Sequence, residues 1–278
     1  MRMNKIISQV RPDIKKALKE DCPQTDVTTN ACVATSDRVE AEVIAKRKVV
    51  LSGLVIFGEV MRQADRRIRV RYLAGDGDAI NARRVVIRLH GPGASILTAE
   101  RTALNYLQRM CGIASLTAGY VQRVKGTKAK IFDTRKTTPN MRILEKYGVV
   151  CGGGHNHRMS LSDQPLIKEN HIKAAGDIET AVRKLRRVTK KRIILEVTNP
   201  GEAIEGLNAG ADILLLDNMP PALVKKIVKL IAGRAVIEVS GGVSLENVRK
   251  YALAGADRIS VGAITHSAPA ADLSLLLR

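Results

Sequence analysis

The sequence has few aromatic residues. Phe, Trp and Tyr make up 3% of the 278 residues, and Trp is absent. Proteins that hold single-stranded nucleic acid without sequence preference stack bases on aromatic side chains, so this scarcity argues against that function. The apolar content of 45% is that of a globular protein, and Leu, Ile, Val and Ala must fill its core.

Long apolar runs and paired cysteines are also absent. No run approaches the length that spans a bilayer, and the first 21 residues lack the apolar stretch of a signal peptide. Cys22, Cys32, Cys111 and Cys151 form no CxxC pair and have no metal-ligand spacing. We therefore expect reduced thiols in a cytoplasmic protein with no membrane-spanning segment.

Acidic residues are outnumbered by basic ones. There are 27 Asp and Glu against 46 Lys and Arg, which gives a formal net charge of +19. Such a charge leaves nucleic acid, an acidic membrane surface and polyphosphate substrates open as partners. The densest basic run, residues 183–192, is typical of the exposed side of an amphipathic helix.

The first hundred residues alternate short strands with helices. Period-two alternation predicts strands, and spacing near four predicts helices. The expected strands are residues 39–50, 67–73 and 83–91, the expected helices are residues 10–20 and 53–64, and residues 25–30 are expected to form a turn. An antiparallel sheet with helices on one face, an α+β module, fits this order.

A long helical pattern follows, and Gly112 inside it predicts two helices end to end rather than one. From residue 128 onward, apolar strands alternate with helices. The expected strands are residues 129–132, 165–168, 192–197, 212–218, 235–242 and 257–263, and the expected helices are residues 178–189, 201–209, 220–231 and 244–254. Their regular spacing, with no GxGxxG after an early strand, favours an α/β barrel over a doubly wound sheet.

Each of these strands ends in polar or glycine residues. Strand ends on the carboxyl side meet at one face of a parallel barrel, where barrel enzymes place their sites. The residues concerned are Asp133 to Lys136, Lys168, Glu196, Asp217 with Asn218, Ser240 to Gly242, and Val261 to Ala263.

Two of these strand ends are glycine loops. Ser240–Gly242 and Val261–Ala263 can point backbone N–H groups at a phosphate, although tight helix–strand packing would also explain the glycines. Glu196 and Asp217 can hold ribose hydroxyls or Mg2+ and stabilise developing positive charge. The alternative is that they pair with nearby Arg and Lys.

A cationic cluster is the third component. Its members are Arg101, Arg135, Lys136, His157, Arg158 and Lys168. Arginine pairs with carboxylate or phosphate through two hydrogen bonds, so the cluster suits a planar diacid, although a solvated basic loop is the simpler explanation. His155, His157 and His171 lack partners at zinc-site spacing, so His157 is expected to donate to a carboxylate.

At these residues the chain resembles the quinolinate phosphoribosyltransferase family (nicotinate-nucleotide pyrophosphorylase, carboxylating). The motifs that carry the resemblance are LTAERTALNYLQRMCGIAS, DTRKTTP, KYGVVCGGGHNHR, LIKENHI, GADILLLDN, SGG and VGAITHS. They occur in family order over nearly the whole chain.

The resemblance implies an N-terminal α+β sandwich domain at residues 1–105 and an incomplete (β/α) barrel, of the type II phosphoribosyltransferase kind, at residues 106–267. The tail at residues 268–278 is expected to pack back on the first domain. The implied reaction joins quinolinate to phosphoribosyl pyrophosphate with Mg2+ and yields nicotinate mononucleotide, pyrophosphate and CO2 in NAD biosynthesis. A homodimer or larger assembly is implied, without specific nucleic-acid binding.

The resemblance also assigns roles. Arg101 should reach quinolinate in the neighbouring subunit's site, and the carboxylates should meet Arg135, His157, Arg158 and Lys168, with Thr134 in the same binding set. The residues expected to act in catalysis are Lys136 at the pyrophosphate or reacting centre, and Glu196 and Asp217 at the ribose. The 5′-phosphate should lie on Ser240, Gly241, Gly242, Val261, Gly262 and Ala263. Mg2+ is expected to bind mainly through substrate pyrophosphate and water, with no protein metal site.

The chain departs from the family pattern at a few positions: Thr25, Asn140, Gly148, Ser160, Ile194 and Thr198. These departures concern loop geometry rather than residues assigned to substrate. Two other functions remain as alternatives. A molybdenum-uptake accessory protein shares DTRKTTP but diverges around GGGHNHR and LIKENHI, and nucleic-acid binding would follow from the charge alone.

Overall fold

The computed structural model describes residues 3–22 and 24–278. Packing divides the chain into two compact units. The first unit comprises Met1–Leu116, Ile143–Gly153 and Ala268–Arg278, and the second comprises Thr117–Arg142 and Gly154–Ser267. We expected a division after residue 105, whereas the packing changes after Leu116 and returns briefly to the first unit at residues 143–153.

Helices and short strands alternate along the chain. The first part of the chain forms α1 (Met3–Asp21), α2 (Val27–Cys32), β1 (Arg38–Ala45), β2 (Val49–Val50), α3 (Leu54–Ala64), β3 (Arg69–Tyr72), β4 (Ala79–Ile80), β5 (Arg84–Pro92) and α4 (Gly93–Val124). The next part forms β6 (Lys130–Phe132), α5 (Arg142–Cys151), β7 (Leu166–Ile167), α6 (Glu169–Ala175), α7 (Ile178–Val188), β8 (Ile194–Val197) and α8 (Pro200–Asn208). The chain ends with β9 (Ile213–Asp217), α9 (Pro221–Ile231), β10 (Val236–Ser240), α10 (Val248–Leu253), β11 (Arg258–Ser260), α11 (Ala263–His266) and β12 (Leu273–Leu277).

The first unit is built on a four-stranded antiparallel sheet in the order β12-β1-β5-β3. In its register, Val43 of β1 lies opposite Leu275 on one side and Ile87 on the other. All three side chains are buried, as expected for the inward residues of strands with period two. The tail of the chain thus supplies an edge strand of this sheet.

We expected residues 25–30 to form a turn. This prediction is wrong, because helix α2 begins within the segment. Asp26 precedes the helix and accepts hydrogen bonds from the backbone N of Thr29 at 3.0 Å and from its Oγ1 at 2.6 Å. These bonds lower the pKa of the Asp26 carboxyl. The N-cap offsets the weak helix propensity of the threonines that follow.

Helix α4 is also different from the expectation, since it continues through Gly112 for 32 residues. A Cβ at Gly112 would lie 2.0 Å from the carbonyl oxygen of Pro269. Glycine therefore serves close packing against the C-terminal tail here, and hydrogen bonding along the helix outweighs its low propensity.

The second unit is a six-stranded parallel sheet in the order β6-β11-β10-β9-β8-β7. The first strand pairs with the last, so the order is circular except between β6 and β7. His155 adds a single parallel bridge to Phe132 on the free side of β6. The sheet is thus an incomplete barrel with helices between its strands, as the sequence predicted. Within the described part of the chain, no helix is both long and apolar enough to cross a membrane.

Candidate active site

The carboxyl ends of the barrel strands surround a cavity of about 660 Å³. All of the predicted site residues except Arg101 line it: Thr134, Arg135, Lys136, His157, Arg158, Lys168, Glu196, Asp217, Ser240, Gly241, Gly242, Val261, Gly262 and Ala263. Arg101 is exposed on α4 in the first unit. The convergence that the strand ends predicted is therefore present within one unit.

Two guanidinium groups dominate one wall of the cavity. Burial lowers the pKa of Arg158, and the neighbouring charge of Arg135 lowers it further. The Nε atom of Arg135 is buried and has no hydrogen-bond partner in the described part of the chain. Arg158 Nη1 donates to the carbonyl oxygen of Gln164 at 3.1 Å. Two like charges held close together favour an anionic ligand between them.

Lys168 and Glu196 connect the two sides of the cavity. Lys168 follows β7, Glu196 lies in the neighbouring strand β8, and their side chains form an ion pair. His171, on the first turn of α6, accepts at Nδ1 from the backbone N of Lys168 at 3.0 Å. This hydrogen bond fixes the backbone of Lys168, from which the lysine side chain extends into the cavity. His171 therefore supports the site without lining the cavity.

His157 is held by protein groups at both ring nitrogens. Its Nδ1 accepts from the backbone N of Arg158 at 2.9 Å, and its Nε2 lies 3.3 Å from Oε1 of Glu238. Asp133 Oδ1 accepts from the backbone N of His157 at 2.8 Å. The ring is 8% exposed, so its orientation is set by these contacts.

The loop after β9 connects the acidic side chains to the first glycine loop. Asn218 Nδ2 donates to Asp217 Oδ2 at 2.8 Å, and Asn218 N donates to Ser240 O at 2.9 Å. Asn218 itself is left-handed, with φ 53°. A Cβ at Gly241 would lie 2.2 Å from the Asn218 side-chain oxygen, so a larger residue does not fit there.

Gly242 differs from its neighbour. It has φ 56°, yet a Cβ there would meet no atom within 4 Å, because it would point into open space. Asn247 Nδ2 donates to the Gly242 carbonyl at 2.9 Å and so fixes the loop from outside. From the sequence, either tight packing or phosphate binding could explain the glycines of this loop. In the structure, Gly241 is required by packing against Asn218, whereas the space beside Gly242 is free for a ligand.

Lys136 lies across from the last strand of the barrel. Its backbone N donates to Thr134 Oγ1 at 3.0 Å, and its carbonyl accepts from Thr265 Oγ1 at 2.8 Å. A Cβ at Gly262 would lie 3.2 Å from Lys136 Cδ. The lysine stem thus lies directly on the second glycine loop.

Several cavity residues were missed by the sequence reasoning: Leu166, Leu215, Glu238, Val243, Ser260 and His266. Glu238 was detectable, since it lies two positions before Ser240 in the same strand and must share its face. Ser260 was detectable in a similar way, since it lies two positions before Gly262, at the end of β11. Leu166 and Leu215 instead belong to the apolar packing inside the barrel, where Leu166 lies against Leu215 and its neighbours.

One departure from the family pattern has a clear structural basis. Asn140, which follows Pro139 where glycine is common in the family, has φ 64°. Asparagine is the non-glycine residue that most readily adopts this left-handed conformation, so the turn after the cationic motif is kept.

Two family models match the chain. The N-terminal domain of quinolinate phosphoribosyl transferase matches residues 26–111, and its C-terminal domain matches residues 113–276. A probable nicotinate-nucleotide pyrophosphorylase (carboxylating) of Archaeoglobus fulgidus is 44% identical over 260 residues, which cover 91% of this chain and 98% of the relative. One of Bacillus subtilis is 38% identical over 92% of this chain and 89% of the relative.

Solved structures agree with these matches. NadC from Streptococcus pyogenes superimposes with a TM-score of 0.94 at 38% identity, over 98% of this chain and 97% of the other. The nicotinate-nucleotide pyrophosphorylase from Francisella tularensis gives 0.93 at 38% identity, over 98% and 96%. Human nicotinic acid phosphoribosyltransferase, at 11% identity and a TM-score of 0.62, shares the fold alone. With both domain models matched and relatives this similar over nearly its whole length, the chain belongs to the quinolinate phosphoribosyltransferase family of enzymes.

Proposed function

We propose that this protein transfers phosphoribosyl from phosphoribosyl pyrophosphate to quinolinate with decarboxylation, and so forms nicotinate mononucleotide, pyrophosphate and CO2 for NAD biosynthesis. The observation that carries the proposal is a cavity lined both by two arginines, Arg135 and Arg158, and by two glycine loops. This combination suits one dicarboxylate and one phosphorylated sugar at the same time.

In this mechanism the diacid lies against the cationic wall. Arg135 and Arg158 bind the quinolinate carboxylates, and Lys168 can leave Glu196 to join them. Fixing both carboxylates orients the ring, so that its nitrogen faces the anomeric carbon of the second substrate. Holding the two reactants in this geometry removes much of the entropic barrier to their reaction.

The opposite wall binds the phosphoribosyl group. The 5′-phosphate fits the free space beside Gly242 and the loop at Gly262, both of which line the cavity. Glu196 and Asp217 lie at the ends of adjacent strands and stabilise the positive charge that develops on the ribose in the transition state. Lys136, next to Gly262, is placed to balance the charge of the departing pyrophosphate. The bound ring then carries a positive nitrogen, which favours loss of the adjacent carboxylate.

Mg2+ fits this site as a substrate-borne cofactor. In the described part of the chain, no three His, Cys, Asp or Glu side chains group together as metal ligands. Mg2+ usually keeps several waters and binds through one or two carboxylates plus substrate phosphates, and Asp217 and Glu196 are the carboxylates available. When bound there, it would supply neutralisation of pyrophosphate charge.

The direct test is to mix the protein with Mg2+, phosphoribosyl pyrophosphate and quinolinate and to measure nicotinate mononucleotide and CO2. Nicotinate in place of quinolinate is the control. We expect equimolar nicotinate mononucleotide and CO2 from the mixture with quinolinate, and no product from the mixture with nicotinate. No product at any pH or salt concentration would refute the proposal, and product from nicotinate would reassign the substrate.

We propose further that the protein acts as a homodimer or larger homo-oligomer in which Arg101 completes a neighbouring subunit's site. Arg101 is exposed on α4, where a neighbouring subunit can reach it, which supports a role in trans. Mixing two inactive variants, Arg101→Ala and Arg135→Ala, should restore activity, because some mixed assemblies contain one intact site. Lack of restoration after subunit exchange would refute the role in trans.

A cytoplasmic location remains a prediction, which the four free thiols support.

A further inference from the structure

The proposed reaction leaves a buried carboxylate without a role. Glu238 is 0% exposed, lies in β10 and lines the cavity. Ser260 Oγ donates to its Oε1 at 2.6 Å, and Oε2 has no hydrogen-bond partner in the described residues. A buried carboxylate is costly unless its charge is compensated, so its contacts require an explanation.

The ion pair with Arg258 is long and explains only part of that compensation. The nearest guanidinium, that of Arg258, has Nη1 at 3.9 Å from Oε2, which is beyond hydrogen-bond distance. The Arg258 guanidinium instead stacks over the ring of Phe132, 4.9 Å from its centroid. The closer contact of Glu238 is His157 Nε2, at 3.3 Å from Oε1.

The protonation of His157 follows from its contacts. Because Nδ1 accepts from the backbone N of Arg158, that nitrogen carries no proton. The ring proton of the neutral imidazole is then on Nε2, which faces Glu238. Both ring nitrogens are therefore engaged with protein groups, and neither is directed at a ligand as a donor in this conformation.

These contacts form a chain that ends at the anion-binding wall. It runs from Ser260 through Glu238 and His157 to the backbone of Arg158, whose side chain is anchored separately by Gln164. Glu238 lies in β10 and Ser260 in β11, whereas His157 belongs to the segment between α5 and β7. Three different parts of the barrel therefore meet at this chain of contacts.

We propose that Glu238 and His157 are a positioning pair that acts through Arg158: Glu238 holds the Nε2–H form of His157, and His157 fixes the backbone from which Arg158 reaches the diacid. This inference rests on the proposed function and changes the role of His157 in it, from a donor to a substrate carboxylate to a support for Arg158. Ser260 fixes Glu238 in turn and is the outermost member of the chain.

Binding of quinolinate to the full-length protein tests the pair by a double-mutant cycle. Glu238→Gln and His157→Asn should each weaken quinolinate binding about tenfold, the equivalent of about 1.4 kcal/mol, and leave the KM for phosphoribosyl pyrophosphate unchanged. If Glu238 acts through His157, the double variant should also lose about tenfold rather than a hundredfold. Glu205→Gln, at an exposed position on α8, is the matched control and should bind normally.

Losses that multiply in the double variant would overturn the proposal, as would normal binding by Glu238→Gln. Should Glu238→Gln fail to fold, Ser260→Ala replaces it in the cycle. That variant should lose about threefold in the wild-type background and nothing further in His157→Asn.

Nitrogen NMR of the unliganded protein, labelled in its histidines, provides a readout that does not depend on activity. The His157 signal, identified by its absence in His157→Asn, should show the proton on Nε2, and a proton on Nδ1 would overturn the proposal. If the wild-type protein shows this tautomer but binds no quinolinate, the proposed substrate is refuted, whereas the contact between Glu238 and His157 is not.

Discussion

The charges of the first unit and those of the barrel cavity are arranged in opposite ways. In the first unit, the buried carboxylate of Glu59 is saturated by Arg11 and Arg62, and that of Glu145 by Arg109 at 2.7 Å. In the cavity, burial and then the charge of Arg135 lower the pKa of Arg158, and Arg135 Nε lacks a hydrogen-bond partner among the described residues. The paired charges of the first unit therefore stabilise the fold, whereas the two arginines of the cavity are available to bind an anion.

The largest expected effect is on the cavity side of this comparison. Arg135→Ala should weaken quinolinate binding by two or more orders of magnitude, because truncating one partner of a desolvated charge pair costs about 2–5 kcal/mol. Lys168→Ala should act in the same direction. Calorimetric titration with quinolinate measures both, and circular dichroism should show an unchanged fold. Normal binding by either variant would remove that residue from the site.

The acidic residues at the strand ends should affect turnover rather than diacid binding. Asp217→Asn should lower kcat about 100-fold, since a group that stabilises charge only in the transition state contributes mainly to kcat. Quinolinate affinity should stay within about twofold. Steady-state kinetics with both substrates varied separates the two effects, and a change confined to quinolinate affinity would contradict the assignment.

The paired charges of the first unit predict an effect on stability without one on catalysis. Hydrogen bonds from Arg62, then Gln63 and Arg11, lower the pKa of Glu59 to about 2, although its burial opposes the shift. Because the folded pKa lies below the ordinary 4.5, this stabilisation is complete above pH 4.5 and is lost as the pH falls towards 2.

Glu59→Gln should therefore lower the free energy of unfolding at pH 7 by about 2 kcal/mol and flatten its dependence on pH below 4.5. Chemical denaturation between pH 2 and pH 7 measures this change. The KM of this variant for quinolinate should be unaltered. A raised KM would mean that the charges around Glu59 and the cations of the cavity are not independent.

The smallest effect concerns the two neighbouring glycines. Gly242→Ala should raise the KM for phosphoribosyl pyrophosphate several-fold with little loss of stability, because its Cβ enters free space and its φ of 56° costs about 1 kcal/mol. Gly241→Ala should instead destabilise the loop, since its Cβ overlaps Asn218. Thermal melts and steady-state kinetics measure the stability and the KM of both variants. Equal effects of the two substitutions would contradict the assignment of Gly241 to packing and of Gly242 to ligand binding.

Much of the barrel was predictable because its strands are short apolar runs at regular intervals. Residues 212–218 were expected as a strand, and β9 spans Ile213–Asp217. Helices α5 and α6 were not predicted, since they lie in the glycine- and charge-rich region where periodicity is weak. The C-terminal strand β12 escaped prediction as a strand because its apolar run, LSLLL, reads equally well as a helix end until its pairing with β1 is known.

Local sequence patterns were enough to identify most of the residues that line the cavity, since polar and glycine residues at the ends of parallel strands must share one face of a barrel. The contacts among those residues, in contrast, depend on how distant segments pack. Glycine is needed at position 112 because the Pro269 carbonyl packs against α4 there, and His157 meets Glu238 only because the barrel brings β10 next to the segment between α5 and β7. Local patterns specify which face a side chain occupies, whereas contacts between distant segments depend on packing, which no single segment encodes.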